Sequence, residues 1–271
     1  MINHKLNKEE IKKGFAGNPD QLNIVVLDYV SSTNDIAKQQ LRDAPEGLSL
    51  IVTNRQTAGR GRNGKSFYSE LEHGLYFTLA FLPNTDKMEH IPLYTLLVAT
   101  ALVETLETIL PEPVSIKWVN DLFYQGKKVS GILSEMVSGL ETTDLPGIVV
   151  GIGLNIAGDF SDTDDKVQSV AGTLFGKQSP ASFNQNDFLT AFLNQFHRYH
   201  LSFHEKGFMK GYEEHLLGVG QNVFYSMNQE RKQGVIEGIN AEGHLLVRQA
   251  DQSLDVLYGQ EVHFGSTQFV K

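Results

Sequence analysis

Three largely apolar runs at 114–119, 122–124 and 129–137 follow one another with no helical segment between them. This succession constrains the fold more than any other feature of the chain. Gln125-Gly126-Lys127 supplies a hairpin turn, glycine being the residue that takes left-handed backbone at no steric cost. A further apolar strand is predicted over 148–156, and upstream the runs 23–27, 48–53 and 74–82 read as strands by the same pattern. Helices are predicted over 8–13, from about 35 to 42, over 91–110 as a long buried element, and over 184–206. Ser31-Ser32-Thr33-Asn34 offers side-chain caps to the second of these, and Phe188, Phe192 and Phe196 give the last a core-facing stripe. The aspartate-bearing stretch 157–170 is expected to be a mobile surface loop. Beyond Gly220 the pattern changes to short strands parted by Asn228-Gln229, Asn240-Ala241-Glu242-Gly243 and Asp251-Gln252, which suggests a small antiparallel barrel and a domain boundary near Gly218.

Composition removes several functional classes. The 271 residues include no cysteine, so disulfides, thiolate zinc sites and cysteine nucleophiles are excluded. A net charge of -9 disfavours non-specific nucleic-acid binding. No apolar run is long enough to span a bilayer and the first twenty residues carry no secretory core, so a soluble, cytoplasmic protein without a membrane partner is expected. His197, His200 and His204 lack the glutamate of the zinc-protease pattern and are read as ordinary helix surface, with no metal site there.

Gly59 to Ser66 reads Gly-Arg-Gly-Arg-Asn-Gly-Lys-Ser and satisfies the phosphate-loop pattern. Its flanks disagree. A phosphate loop joins a strand directly to a helix, whereas here 54–58 intervene before Gly59 and Phe67-Tyr68-Ser69 follow Ser66. Gly151-Ile152-Gly153 lacks the third glycine of a dinucleotide fingerprint.

Five ordered clusters remain: Ser32-Thr33-Asn34; Gln56 through Gly64; Lys117-Trp118-Val119-Asn120-Asp121; Lys128 through Glu135; and Gly151 through Asn155. Together, over roughly 27–264, they resemble the biotin protein ligase family, which attaches biotin to a lysine of biotin-dependent carboxylases. The resemblance implies an α+β fold: a mixed-sheet catalytic domain of the biotin/lipoate ligase type with helices packed on it, 1–218, and a small Src-homology-type β-barrel, 219–271. It implies ATP, biotin and Mg2+ as reactants and cofactor, and the biotin carboxyl carrier domain of a carboxylase as partner. About 27 residues precede the first matched strand, so a form without the family's DNA-binding module is expected, with no DNA partner, and homodimerisation stays open.

The same resemblance assigns roles. Ser32, Thr33, Asn34, Gln56, Gly59, Arg60, Gly61, Lys128 and Gly131 would bind biotin. Arg62, Lys65, Trp118, Asn120 and Asn155 would hold ATP or the adenylate, and Arg62, Lys117, Lys128 and Asp121 would serve the chemistry. Gly151 and Gly153 would let their strand approach the nucleotide. Lys65-Ser66-Phe67 departs from the usual arginine, polar residue and tryptophan, so lysine keeps charge there but loses the bidentate fork. A lipoate ligase relative and a phosphate-loop hydrolase are the alternatives.

Overall fold

The computed structural model describes residues 5–69, 73–140, 145–227, 230–259 and 263–264. Its main sheet begins with a parallel pair. β1 (Leu22–Leu27) and β2 (Leu48–Thr53) are joined by helix α2 (Thr33–Asp43), and all other neighbours are antiparallel: β3 (His73–Phe81), β7 (Gly147–Ala157), β6 (Lys127–Val137), β5 (Asp121–Tyr124) and β4 (Ser115–Lys117), in the order β1-β2-β3-β7-β6-β5-β4. The β5–β6 turn is the predicted hairpin, with Gln125 and Gly126 both at positive φ (49° and 75°).

Alternation along β7 divides the two faces. Ile148, Val150, Ile152, Leu154 and Ile156 point into the larger core, beneath α3 (Leu93–Glu107) and α5 (Gln185–Leu201). On the other face, Val149 joins a small cluster with Ala37 and Leu41 of α2. The same face carries Gly151 and Gly153, and pairing places Gly153 opposite Gly131 of β6, which in turn lies opposite Asp121. Two facing glycines therefore open a trough in the sheet.

The remaining differences from the predicted elements have local causes. Helix α1 (Lys8–Lys13) is present, capped by Asn7. The helix predicted over 184–206 stops at Leu201. A short 3-10 turn follows, Lys206 takes left-handed backbone at φ 52°, and a separate helix α6 (Gly207–Glu214) begins. The stretch expected to be a loop over 157–170 contains helix α4 (Asp165–Val170), whose polar sequence is started by the Asp164 side chain accepting from Val167 N–H. His200 is not helix surface: it stacks on Phe196 and meets the Tyr94 hydroxyl at 3.2 Å, and burial together with His197 lowers its pKa to about 4. His204 is exposed as expected.

The C-terminal strands β8 (Asn222–Met227), β9 (Glu230–Ile239), β10 (Leu245–Arg248), β11 (Leu254–Leu257) and β12 (His263–Phe264) form one antiparallel sheet ordered β11-β10-β9-β8-β12. Asn240 closes the β9–β10 turn by accepting from Glu242 and His244 N–H, while the expected Asn228-Gln229 turn lies outside the described residues. Among the described residues, no helix is long and apolar enough to cross a membrane.

Candidate active site

The trough floored by Gly131, Gly151 and Gly153 is the centre of a cleft. At one end the sequence Ser32-Thr33-Asn34 starts α2, and all three residues are buried. The expected side-chain capping by this segment does not occur. Ser32 occupies the cap position without a side-chain bond, and Gln56 Oε1 instead accepts from Thr33 N–H at 2.8 Å. A distant amide thus does the work of a cap and ties the end of β2 to the start of α2.

At the other end, hairpin β5–β6 carries Asp121 and Lys128, which pair at 2.7 Å. Lys128 is therefore not a solvated turn lysine. Lys117, directly opposite Asp121 on β4, is buried; this lowers its pKa to about 8, against the attraction of Asp121 and with the help of Lys128, Lys65 and Arg62. Arg62 is bound through Nη1 to Asn120 Oδ1 at 3.0 Å and through Nη2 to the carbonyl of Gly259 in the C-terminal unit, and burial lowers its pKa as well. Arg60 forms an ion pair with Asp35 on α2. Trp118 is buried and donates to Gly243 O at 3.0 Å, a second tie to the C-terminal sheet.

The Gly59–Ser66 segment folds back on itself. Gly61 N–H donates to Lys65 O at 2.7 Å, Phe67 N–H donates to Gly59 O at 2.9 Å, and Arg60 bridges Ser66. No helix begins at Lys65, so the backbone does not have the geometry of a phosphate loop.

Fourteen of the sixteen residues expected from the sequence line this one cleft. Gly59 and Asn155 do not. A side chain on Gly59 would strike Ser69 and the carbonyl of Phe67, so that glycine serves the loop's own closure. Asn155 lies beyond the lining on β7, where its amide donates to Gly172 O at 3.1 Å and its Oδ1 is buried without a partner. Asn34 lines the cleft, yet its amide is engaged inward, toward Glu135 and Thr78. Gly151 and Gly153 leave room for protein side chains, Asn34 over the first and the Phe67 ring over the second. Thr78, Glu135 and Lys38, absent from the sequence reading of the site, lie directly behind it.

Five cations, Arg60, Arg62, Lys65, Lys117 and Lys128, line the cleft with a single carboxylate, Asp121. In a chain of net charge -9 this is a local concentration of positive charge beside an uncharged, hydrogen-bonding end.

Comparison with known proteins places this geometry among relatives. The model of the biotin/lipoate A/B protein ligase family matches residues 26–155. The bifunctional ligase/repressor BirA of Bacillus subtilis is 28% identical over 265 residues, covering 96% of this chain and 80% of that protein. The biotin--[acetyl-CoA-carboxylase] ligase of Paracoccus denitrificans is 24% identical over 243 residues, covering 87% of this chain and 99% of that protein. The solved structure of the biotin protein ligase from Aquifex aeolicus in complex with biotin and ATP superposes with a TM-score of 0.70 at 26% identity, covering 90% of this chain and 99% of that one.

Proposed function

We propose, from the premise that the chain belongs to the biotin/lipoate A/B protein ligase family, that it is a biotin protein ligase using ATP to form biotinyl-5'-AMP and to modify a lysine of a biotin carboxyl carrier domain. The observation that carries this reading is the pairing, in one cleft, of a neutral polar end with a cationic end.

A cyclic urea offers one carbonyl and two N–H groups, and Ser32, Thr33 and Gln56 offer hydroxyl and amide partners at the neutral end. A dithiolane ring offers neither group, which favours biotin over lipoate. In the first step a biotin carboxylate oxygen bonds to the α-phosphorus of ATP and pyrophosphate leaves. Two anions approach, so the gain must come from fixed positive charge: Lys128 and Lys117 at the reacting oxygens, Arg62 and Lys65 along the phosphates. Trp118 and Asn120 wall the nucleotide, and Arg60 with the Gly61 backbone lines the carboxylate. In the second step the acceptor lysine nitrogen bonds to the acyl carbon and AMP leaves, while Asp121 takes the proton released from the nitrogen. The division into 1–218 and 219–271 accompanies this reading, with the second unit steadying the nucleotide end.

Magnesium fits as an ion that arrives with the nucleotide. Among the described residues no group of three or more His, Asp or Glu side chains could hold a metal. Asp121, already paired with Lys128, and Asn120 are the oxygen donors beside the phosphates, which suits an ion that keeps water and phosphate as most of its ligands. When bound, it neutralises triphosphate charge.

The test is direct. With ATP, magnesium, biotin and a carrier domain, the protein should yield biotinylated carrier, with lipoate failing to substitute. Transfer of lipoate in place of biotin, or biotin-independent ATP hydrolysis lost in Lys65→Ala, would sink the proposal.

A further inference from the structure

Behind the neutral end runs a chain of hydrogen bonds whose direction is dictated from its far end. Glu135 on β6 accepts from Lys38 Nζ at 2.6 Å and from Asn34 Nδ2 at 2.8 Å. Burial alone would raise the Glu135 pKa, but these two bonds together with the charges of Lys38 and Arg60 outweigh it and the group stays ionised. A carboxylate can only accept, and Leu133 O, 3.5 Å from the same nitrogen, is a second acceptor. The Asn34 amide therefore has one orientation, with nitrogen toward Glu135 and oxygen toward Thr78. At the near end Thr33 N–H fixes Gln56 with its Oε1 toward Thr33.

Three oxygen–oxygen contacts lie between these fixed ends: Asn34 Oδ1 to Thr78 Oγ1 at 2.7 Å, Thr78 Oγ1 to Thr33 Oγ1 at 2.7 Å, and Thr33 Oγ1 to Gln56 Oε1 at 3.1 Å. Only the two threonines bring hydrogens, one each. Asn34 Oδ1 cannot donate, so Thr78 gives it a hydrogen. One hydroxyl hydrogen cannot serve both of the 2.7 Å contacts of Thr78, so Thr33 gives its own to the Thr78 oxygen there, and the longest contact, Thr33 to Gln56 at 3.1 Å, is left with none. Two acceptors face each other there, both on residues that line the cleft, and a donor from a ligand satisfies them.

We infer that Thr78 and Glu135 are positioning residues that set the polarity of ligand recognition, holding Thr33 Oγ1 and Gln56 Oε1 as acceptors so that the site selects a ring presenting an N–H. The inference rests on the biotin reading and adds its specificity determinant, a relay anchored on the Lys38–Glu135 ion pair.

The discriminating variant is Glu135→Gln, with the same shape and one charge fewer. The Lys38 ammonium then claims the glutamine oxygen, the glutamine NH2 faces Asn34, and the Asn34 amide turns over. Its nitrogen donates to Thr78, Thr78 to Thr33, and Thr33 to Gln56, which fills the gap and removes the acceptor. Biotin affinity measured by calorimetry should fall by about tenfold or more, with ATP affinity held. Adding Lys38→Met frees the glutamine to offer its oxygen to Asn34 and should restore biotin binding to within about threefold of the parent, since a single hydrogen bond's direction is at stake. Thr78→Ser, which keeps the hydrogen, should bind as the parent does, and Thr78→Val should not. Unchanged binding in Glu135→Gln, or failure of Lys38→Met to rescue it, overturns the relay. A parent protein that binds ATP but gives no heat with biotin overturns the functional reading instead.

Discussion

The two ends of the cleft are built on opposite principles. At the neutral end, Ser32, Thr33, Asn34 and Gln56 are all buried, and they are braced by strands and a helix of one sheet through bonds made inside the protein. At the cationic end, like charges are crowded together. Lys117 is lowered to about 8 by burial, against Asp121 and aided by three neighbouring cations, and Arg62 is lowered too. Its geometry depends on remote pieces: Gly259 O holds Arg62, Gly243 O holds Trp118, and Tyr212 of α6 donates to Val119 O at 3.1 Å. One end is preorganised and neutral; the other is held under electrostatic strain that an anion relieves. On the proposed reading, recognition and charge stabilisation are thereby separated along one trough.

The largest expected effect tests this separation at the reacting oxygens. Lys128→Ala leaves Asp121 without its 2.7 Å partner and places that carboxylate beside two further anions. Adenylate formation, followed by pyrophosphate release, should slow by about 10²–10³-fold, the range for loss of one fixed charge-stabilising donor. Thr33→Ala, at the other end, should raise the KM for biotin by about tenfold with kcat held. If Lys128→Ala altered only KM, the two ends would not differ in kind.

The pH dependence sharpens the contrast further. Lys117 carries its charge below about pH 8 and loses it above. ATP affinity of the free enzyme should weaken as pH rises through that value, approaching tenfold per unit, while biotin affinity measured without ATP stays level between pH 7 and 9. Lys117→Arg should abolish the dependence. The same group affects stability. Its folded pKa lies below the free value of 10.5, so the unfolded chain binds more protons between the two, and the ligand-free protein gains up to about 3 kcal/mol as pH climbs across that window. Calorimetric unfolding at pH 7.5 and 9.5, with Lys117→Met as control, measures this.

The difference between the ends also explains what could be read in the sequence. Strands such as Leu48–Thr53 are announced by apolar and β-branched residues, and the cleft residues come in contiguous clusters because most sit at a strand end, a turn or a helix start, with Gly131, Gly151 and Gly153 marked within their strands by residue type. The relay is different. Lys38, Thr78 and Glu135 lie on three elements: register aligns the two strands, with Thr78 opposite Gly151 and Gly151 opposite Leu133, and the packing of α2 on the sheet adds Lys38. No local pattern encodes a contact across 97 residues. Helix α4 is hidden because six residues, with Val167 and Val170 alone apolar, are too few to show a period, and the stop at Leu201 because the left-handed position is taken by Lys206 rather than by a glycine. His200 differs from its expected surface position because it continues the Phe188, Phe192, Phe196 stripe by one turn: only its polar residue type suggests solvent, while it stacks on Phe196 and meets Tyr94 of α3.

The smallest expected effect concerns the cationic end's dependence on the C-terminal sheet. Trp118→Phe keeps an aromatic wall and removes one donor, leaving Gly243 O without the indole N–H that meets it at 3.0 Å. A net loss of about 1 kcal/mol is expected, lowering Tm by about 2–4 °C. Because Gly243 also packs against Leu93 and Leu96, the loosened turn should relax the seat of the Lys117–Asp121 segment and weaken ATP binding two- to fivefold, about 0.4–1 kcal/mol. Biotin binding should not change, since none of the bonds that brace Thr33, Asn34 and Gln56 reaches the C-terminal sheet. Equal losses for both ligands would mean that the ends are mechanically one, and that the C-terminal sheet braces the whole trough.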